Sequence, residues 1–203
     1  MARYQPHDKF YRKAREQGLP SRAAFKLEEI LGRFDLVRPG ARIADLGCAP
    51  GGWMAILARA AGADGRVVGV DLAVSAAPGP NVTVIAGDIR DPAVRAAVSE
   101  KLGGGADLVT SDLAPKLSGI RERDQARSAE LIEIAVDFAR TILRPGGAMV
   151  AKLFMGAEFS QTRKLFERDF ARVEVVRTQA SRPGSAELYM VARGLRAGPA
   201  RAG

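Results

Sequence analysis

A glycine-rich turn between a short apolar run and a helical stretch constrains the fold of this chain most. Residues 43–53 read Ile-Ala-Asp-Leu-Gly-Cys-Ala-Pro-Gly-Gly-Trp, and a helical pattern follows at 54–61. A strand, a glycine-rich turn and a helix in this order are typical of the nucleotide-binding edge of an α/β sheet. Glycine also lets the backbone approach a ligand closely. We therefore predict an α/β fold in which this turn contacts a ligand.

The chemistry of the turn distinguishes between possible ligands. A dinucleotide site needs Gly-x-Gly-x-x-Gly with phosphates at a helix N-terminus, whereas this chain has Gly47, Ala49 and Gly52 at those positions and Pro50 inside the turn. Asp45 precedes the first glycine, where a carboxylate repels phosphate but attracts a sulfonium or amino group. The turn therefore favours S-adenosylmethionine over a dinucleotide. A strand, turn and helix without any nucleotide site is the alternative, because a lone glycine motif is weak evidence.

Apolar runs and turn residues predict the other elements of the sheet. Further strands are expected at 66–71, 82–86, 106–111, 148–154, 172–177 and 187–193. Helices are expected at 21–31, where Gly32 ends the helix, and at 91–102, 125–143 and 159–170. Residues 116–124 are polar and are predicted to form a mobile loop. The last two strands are predicted to pair as an antiparallel hairpin at the edge of an otherwise parallel sheet.

Three acidic residues fall where predicted strands end. Asp71 lies 19 residues after Gly52, where α/β nucleotide folds place an acid that binds ribose hydroxyls, and this spacing suits NAD equally well. Asp88 follows the next strand and could bind an adenine edge or cap a helix. Asp112 follows the fourth strand. Because carboxyl ends of parallel strands line the ligand crevice of such sheets, we expect these side chains at one cleft.

Lysine is scarce in this chain, which has 7 Lys and 24 Arg. Lys152 nevertheless lies within a predicted apolar strand, and a desolvated lysine, unlike an arginine, can lose its proton and act as a base. Its strand follows the one that ends at Asp112, so both side chains could reach one cleft. The alternatives are a Lys152 that points outward or pairs with an acid in the sheet. Lys26, beside Leu27 on the first predicted helix, lies at the margin of the buried face or is an ordinary surface lysine.

Excess positive charge lies at the two ends of the chain. The net charge is +5 over residues 1–26 and +3 over 188–203, whereas 27–187 holds 21 residues of each sign. Tyr4, Phe10 and Tyr11 stand among the N-terminal cations, and aromatic residues among cations are typical of RNA binding. We predict a basic RNA-binding arm at 1–20 and a disordered tail at 195–203. A solvated tail without RNA contacts is the alternative for the arm.

The single cysteine and the single histidine, Cys48 and His7, exclude several classes of site. An internal disulfide, a thiolate metal cluster, a metal site with several histidines and most Ser-His-Asp arrangements are ruled out. No apolar run approaches 18 residues, and the basic N-terminus lacks a signal-peptide pattern. The sequence therefore predicts one cytoplasmic domain with no bound metal and no membrane contact.

Six motifs in a fixed order carry a family resemblance. They are Ser-Arg-Ala-Ala-Phe-Lys-Leu at 21–27, Asp-Leu-Gly-Cys-Ala-Pro-Gly-Gly-Trp at 45–53, Gly-Asp-Ile-Arg-Asp at 87–91, Ser-Asp-Leu-Ala-Pro at 111–115, Lys-Leu-Phe at 152–154 and Ser-Arg-Pro-Gly-Ser-Ala-Glu-Leu-Tyr at 181–189. With them the chain resembles, over residues 8–194, the FtsJ-type ribose 2'-O-methyltransferases, most closely the bacterial enzymes for large-subunit ribosomal RNA. Met54-Ala55 and Arg177-Thr178 depart from the family pattern, and neither touches the expected chemistry.

The resemblance implies a fold and a set of site residues. The fold is a Rossmann-like S-adenosylmethionine-dependent methyltransferase domain over 21–194, with a mostly parallel seven-stranded sheet, an antiparallel last strand and helices on both faces. The implied catalytic residues are Lys26, Asp112, Glu187 and Lys152, the last as principal base. The implied cofactor contacts are Gly51, Trp53, Asp71, Asp88 and Asp112.

The resemblance also implies partners and leaves other functions open. It implies S-adenosyl-L-methionine as donor, S-adenosylhomocysteine as product, and ribosomal RNA within the large subunit as substrate, with a uridine as the target; we expect a monomer. An RNA-binding ribosome assembly factor with little activity is the main alternative, against which the filled catalytic positions argue. A methyltransferase for proteins or small molecules conflicts with the basic arm, and an NAD oxidoreductase conflicts with the glycine turn.

Overall fold

One seven-stranded sheet forms the centre of the part of the chain that the computed structural model describes, residues 23–73, 76–115, 118–181 and 184–197. Its strands are β1 (Arg42–Leu46), β2 (Arg66–Asp71), β3 (Val82–Ala86), β4 (Ala106–Ser111), β5 (Leu143–Phe154), β6 (Phe170–Val176) and β7 (Glu187–Leu195). The helices within these ranges are α1 (Ala23–Phe34), α2 (Gly52–Ala61), α3 (Pro92–Leu102), α4 (Arg121–Ile142) and α5 (Phe159–Asp169).

The order of the strands places a crevice at the centre of the sheet. That order is β3-β2-β1-β4-β5-β7-β6. Strands β1 to β5 pair in parallel, and β7 lies antiparallel between β5 and β6. From β1 the chain continues to β2 and β3 on one side, and β4 then lies on the other side of β1. The loops that follow β1 and β4 therefore run in opposite directions from the carboxyl ends of these two strands. Such a reversal point is where α/β sheets bind ligands.

Alternating residues of each strand bury two separate apolar layers. Ile43, Val67 and Leu108 face a cluster that includes Leu27 and Ile30 of α1. Neighbouring strand residues face the other layer, which is built from α3, α4 and α5. Because successive side chains of a strand point to opposite faces, this alternation requires helices on both sides of the sheet. The predicted arrangement of helices and strands is confirmed.

The antiparallel pairing of β6 and β7 is confirmed, but β7, and not β6, lies next to β5. The last strand lies inside the sheet and β6 forms the edge. Residues 188–192 are buried without interruption, whereas most of β6 is partly or fully exposed. A strand apolar on both faces gains more from an internal position, because two neighbouring strands and both helical layers then cover it.

Several predicted boundaries are wrong. The first helix continues through the predicted stop at Gly32 to Phe34, whose buried side chain holds the last turn; the predicted start at 21 lies outside the described residues. Helix α4 begins at Arg121, inside the predicted loop. Polar residues can form its first turn because the Asp124 carboxylate holds the preceding loop. That carboxylate accepts hydrogen bonds from the backbone amides of Ser118, 2.8 Å, and Gly119, 3.2 Å. Residues 144–147 belong to β5, although Pro and Gly there indicated a turn.

The described residues include little of the two predicted end segments, the arm at 1–20 and the tail at 195–203. The predicted arm at 1–20 lies outside the described residues. At the other end β7 extends to Leu195, and the Arg196 guanidinium donates to the carbonyls of Glu167, 2.6 Å, and Arg168, 2.7 Å. None of the helices in the described ranges is both long and apolar enough to cross a membrane.

Candidate active site

A cavity of about 630 Å³ opens at the carboxyl ends of the central strands. Its walls come from the turn after β1, the end of β2, the loops after β3 and β4, and one face of α4. It includes four of the predicted site residues, which are Asp71, Asp88, Asp112 and Lys152. A volume of several hundred Å³ suits a cofactor-sized ligand.

The glycine turn packs directly against the loop that carries Asp112. Gly47 has a φ of +74°, and a Cβ at this position would lie 3.0 Å from the amide nitrogen of Leu113. The amide of Gly47 donates to the carbonyl of Val70 at 2.8 Å. A side chain at residue 47 would therefore strain the turn and displace the neighbouring loop.

Two of the predicted cofactor residues, Gly51 and Trp53, are not among the residues that line the cavity. Gly51 precedes α2 with a φ of +105° and contributes no surface to the cavity. Trp53 is 3% exposed, and its Nε1 donates to the carbonyl of Ala23 at 2.9 Å. Its ring centroid lies 5.9 Å from that of Tyr189. Trp53 thus packs from α2 against α1 and β7, and cofactor contacts by Gly51 and Trp53 stay predictions.

Asp71 is held by backbone amides at the edge of the cavity. Its Oδ2 accepts from the amide of Ala49 at 3.0 Å, and its Oδ1 accepts from the amide of Ala73 at 2.9 Å. The carboxylate therefore ties the glycine turn to the end of β2. Each oxygen can accept a further hydrogen bond, so Asp71 could bind hydroxyl groups of a ligand in the cavity.

Asp88 is paired with Arg90 instead of capping a helix. Its carboxylate accepts from the Arg90 amide at 2.9 Å, from Nε at 3.0 Å and from Nη2 at 2.5 Å. These side-chain and backbone hydrogen bonds hold the pKa of Asp88 below its ordinary value. Asp91 is the helix cap, since its Oδ1 accepts from the amide of Ala93 at 2.8 Å. The capping alternative for Asp88 is therefore wrong.

Lys152 and Asp112 form a largely buried ion pair on the cavity wall. The Lys152 Nζ lies 2.8 Å from Oδ1 of Asp112 and donates to the Asp112 carbonyl at 2.9 Å. The side chains are 10% and 25% exposed. Burial raises the pKa of Asp112 above its ordinary value, although Lys152 opposes this shift. The alternative of an outward-pointing Lys152 is therefore wrong, and the acid with which Lys152 pairs is Asp112.

Lys26 and Glu187 form a second buried pair. The Lys26 Nζ donates to Oε1 of Glu187, and the same oxygen accepts from the Tyr189 hydroxyl at 2.7 Å. Burial raises the pKa of Glu187, but the hydrogen bonds from Lys26 and Tyr189 outweigh burial and leave the pKa below its ordinary value. Lys26 is buried, so the surface alternative for this residue is wrong.

The register of two strands brings the two pairs together. Strand β5 pairs with β7 so that Lys152 lies opposite Tyr189, and Phe154 lies opposite Glu187. Lys26 reaches the same place from α1, with Nζ 6.0 Å from the Tyr189 ring centroid. The pKa of Asp112 is lowered by Lys26 and raised by Glu187 through space. The four predicted catalytic side chains therefore share one electrostatic environment.

Sequence reasoning did not assign a role to Tyr189 or to Thr110. Tyr189 belongs to the last motif and lies two residues after Glu187, a strand spacing that places both side chains on one face. Thr110 lies opposite Asp45 on β4, and its hydroxyl donates to Oδ1 of Asp45 at 2.6 Å. Asp45 is fully buried and contributes no surface to the cavity.

Comparisons with known proteins agree with this geometry. Residues 19–195 match the model of a family described as FtsJ-like methyltransferase. Ribosomal RNA large subunit methyltransferase E of Acidithiobacillus ferrooxidans is 46% identical over 186 residues, which cover 91% of this chain and 84% of the relative.

Two solved structures share the fold. A Plasmodium falciparum structure assigned as a ribosomal RNA methyltransferase has a TM-score of 0.76 at 26% identity, covering 86% of this chain and 97% of that one. Aeropyrum pernix fibrillarin, solved with natively bound S-adenosyl-L-methionine, has a TM-score of 0.55 at 22% identity, covering 77% of this chain and 68% of that one. The expected Rossmann-like methyltransferase fold is confirmed.

Proposed function

We propose, because the chain belongs to the FtsJ-like methyltransferase family, that it transfers a methyl group from S-adenosyl-L-methionine to a ribose 2'-hydroxyl of large-subunit ribosomal RNA. The observation that supports this most is the Lys152–Asp112 pair on the wall of a cofactor-sized cavity, with the Lys26–Glu187 pair beside it. A uridine as target, an assembled ribosomal particle as the form of the substrate, a monomeric state and a cytoplasmic location belong to the same proposal.

The residues of the cavity suit a cationic cofactor without phosphates. Asp71, Asp88 and Asp112 place three carboxyl groups on its walls. Asp71 keeps free acceptor capacity for ribose hydroxyls, and Asp88, in the loop after the neighbouring strand β3, would bind the adenine edge. A Cβ on Gly47 would fill the turn against the next loop, which is consistent with a backbone built for close approach. When bound, S-adenosyl-L-methionine supplies an electrophilic methyl group on a positively charged sulfur.

Lys152 would accept the proton of the ribose hydroxyl. As the oxygen–carbon bond forms, the carbon–sulfur bond breaks, its electron pair stays on sulfur, and the hydroxyl proton moves to Nζ of Lys152. The Asp112 carboxylate would hold that nitrogen in place before the transfer and accept a hydrogen bond from the ammonium group afterwards. A positioned group of this kind typically contributes about 10²–10⁴ to the rate.

Lys26 would act by its charge. The Glu187 carboxylate stays ionised at neutral pH, because its pKa lies below the ordinary value, and it keeps the Lys26 ammonium beside the site. A fixed cation there stabilises negative charge that develops on the ribose oxygen.

The product of the reaction tests the proposal. We expect label from methyl-labelled S-adenosyl-L-methionine to enter ribosomal RNA in large subunits taken from cells without this protein. Nuclease and alkaline digestion should then give one alkali-resistant dinucleotide, because a 2'-O-methyl group blocks cleavage at its own ribose. Label on a base would contradict the ribose assignment, and label that enters protein or no label would contradict the RNA substrate.

A further inference from the structure

A second cavity lies at the opposite end of the sheet from the candidate active site. Its volume is about 640 Å³, close to that of the first. Arg42 and Arg66 are the first residues of β1 and β2, and Arg144 is the second residue of β5, so the cavity lies at the amino ends of the parallel strands. Arg38 and Arg193 complete a set of five lining arginines, which we call the arginine cavity.

Some of these arginines are neutralised by acids. The Arg144 guanidinium pairs with Oδ1 of Asp107, whose Oδ2 accepts from the Arg42 backbone amide at 2.7 Å. Arg193 pairs with Glu174 across the sheet. Its Nε is buried and has no hydrogen-bond partner within the described residues. These contacts fix two guanidinium groups in the wall and leave one buried donor unused.

The other three arginines form no ion pair within the described residues. Among the described residues, no carboxylate forms an ion pair with Arg38, Arg42 or Arg66. Asp35 and Asp64 also line the cavity, but both are exposed and form no described ion pair. Screening by water weakens the influence of such exposed carboxylates on neighbouring charges. The cavity thus presents guanidinium groups whose donors are available to a ligand.

Two glycines let the guanidinium groups lie against the backbone. Gly103 and Gly104 have φ angles of +66° and +148°. A Cβ on Gly103 would collide with Nη1 of Arg66, and a Cβ on Gly104 would collide with Nη1 of Arg42. The Arg66 Nη1 also donates to the carbonyl of Leu102 at 3.4 Å. The turn between α3 and β4 therefore leaves room for two guanidinium groups directly beside its backbone.

We propose that the arginine cavity binds phosphodiester groups of the RNA substrate, as an anchor remote from the reacting ribose. Arginine forks match phosphate oxygens in a bidentate manner, and a concave arrangement of several forks suits a polyanion better than a single carboxylate. The inference rests on the proposed RNA substrate. It adds a second point of contact that neither the basic arm nor the active site supplies.

The position of the cavity limits which RNA can use it. The five residues of β1 separate the two ends of the sheet, and a strand rises about 3.3 Å per residue. An RNA that contacts both cavities must therefore span roughly 15–20 Å of protein. A large folded RNA can do so, whereas a fragment of two or three nucleotides at the active site cannot.

Salt dependence of RNA binding tests the anchor. In the triple variant Arg38→Gln, Arg42→Gln, Arg66→Gln, the slope of log affinity against log salt should fall by about 2 to 3, since each lost phosphate contact removes about 0.7–0.9. The Michaelis constant for large-subunit RNA should rise at least about tenfold at moderate salt, while affinity for S-adenosyl-L-methionine stays unchanged. The single variant Arg38→Gln, whose side chain makes no described hydrogen bond, should lower the slope by about 1 even if the triple variant is unstable.

A charge-matched control separates the cavity from general electrostatics. Arg33, Arg123 and Arg172 are exposed, form no described ion pair and lie outside the arginine cavity, so their triple replacement by Gln should change the slope by less than about 1. Equal effects in both triple variants would overturn the anchor while leaving methyl transfer intact. Saturable binding of pyrophosphate that is lost with the cavity arginines, with RNA affinity unchanged, would identify a small-anion site and also overturn it. A parent protein that neither binds nor methylates RNA would instead refute the proposed function.

Discussion

The buried carboxyl group of Asp45 should determine how stability changes with pH. Asp45 is 0% exposed, its Oδ1 accepts one hydrogen bond from Thr110 at 2.6 Å, and its Oδ2 has no partner in the described part of the chain. Burial raises its pKa to about 8, against the opposing hydrogen bond from Thr110, and the charges of Asp112 and Asp71 add to the increase. The ordinary value is 3.8.

Stability should fall as pH rises, because the proton of Asp45 binds more tightly to the folded protein than to the unfolded chain. The folded protein holds the Asp45 proton with the higher pKa, so the stabilisation is complete below pH 4 and is lost as pH rises towards 8. Each pH unit in this window costs about 1.4 kcal/mol, and the full window costs on the order of 6 kcal/mol. Burial of Asp112, whose pKa is also raised, acts in the same direction. The lowered pKa of Glu187 matters only in acid, below its ordinary value.

Urea unfolding between pH 5 and 8.5 measures this loss. The urea midpoint of the parent protein should fall steadily with pH, whereas Asp45→Asn, which keeps the shape and can still bond Thr110, should show a much flatter profile. Asp64→Asn, at an exposed carboxylate, should follow the parent. Parallel profiles for the parent and Asp45→Asn would refute the assignment of a neutral buried acid.

Two further substitutions probe the packing around the site. Glu187→Gln removes the charge that holds the Lys26 ammonium and should cost about 1.5–3 kcal/mol in urea unfolding, with a clear fall in turnover and little change in cofactor affinity; wild-type turnover would contradict the role of the pair. Gly69→Ala places a Cβ against Sδ of Met54 and 2.8 Å from Sγ of Cys48, so overpacking should cost about 1–3 kcal/mol. An unchanged thermal midpoint in Gly69→Ala would show that the contact relaxes freely.

Apolar periodicity predicted most of the sheet because burial on both faces leaves a direct mark in the sequence. The strands at 66–71, 82–86 and 106–111 agree with the structure residue for residue. Lys152 and Asp112 were expected at one cleft because their strands follow one another, and β4 and β5 are indeed neighbours. The apolar pattern was sufficient to predict strands that follow one another in the chain and are also neighbours in the sheet.

Other features depend on contacts between distant segments and leave no local mark. Trp53 follows the glycine turn, yet its indole packs on α1 because the Ala23 carbonyl and the Tyr189 ring complete its surroundings. Asp88 looked equally suited to capping a helix, but Arg90 holds both of its oxygens. The polar start of α4 was interpreted as loop, since the same residue types that cap helices also form loops.

The rate of methyl transfer by Lys152→Ala tests most directly whether Lys152 accepts the ribose proton. Single-turnover reactions should compare the parent, Lys152→Ala and Lys164→Ala, the last at an exposed lysine of α5, with cofactor affinity measured by calorimetry for each. We expect Lys152→Ala to bind S-adenosyl-L-methionine nearly as the parent does and to transfer methyl about 10²–10⁴-fold more slowly, while Lys164→Ala matches the parent. A Lys152→Ala protein that is folded and methylates RNA at the parental rate would contradict the account.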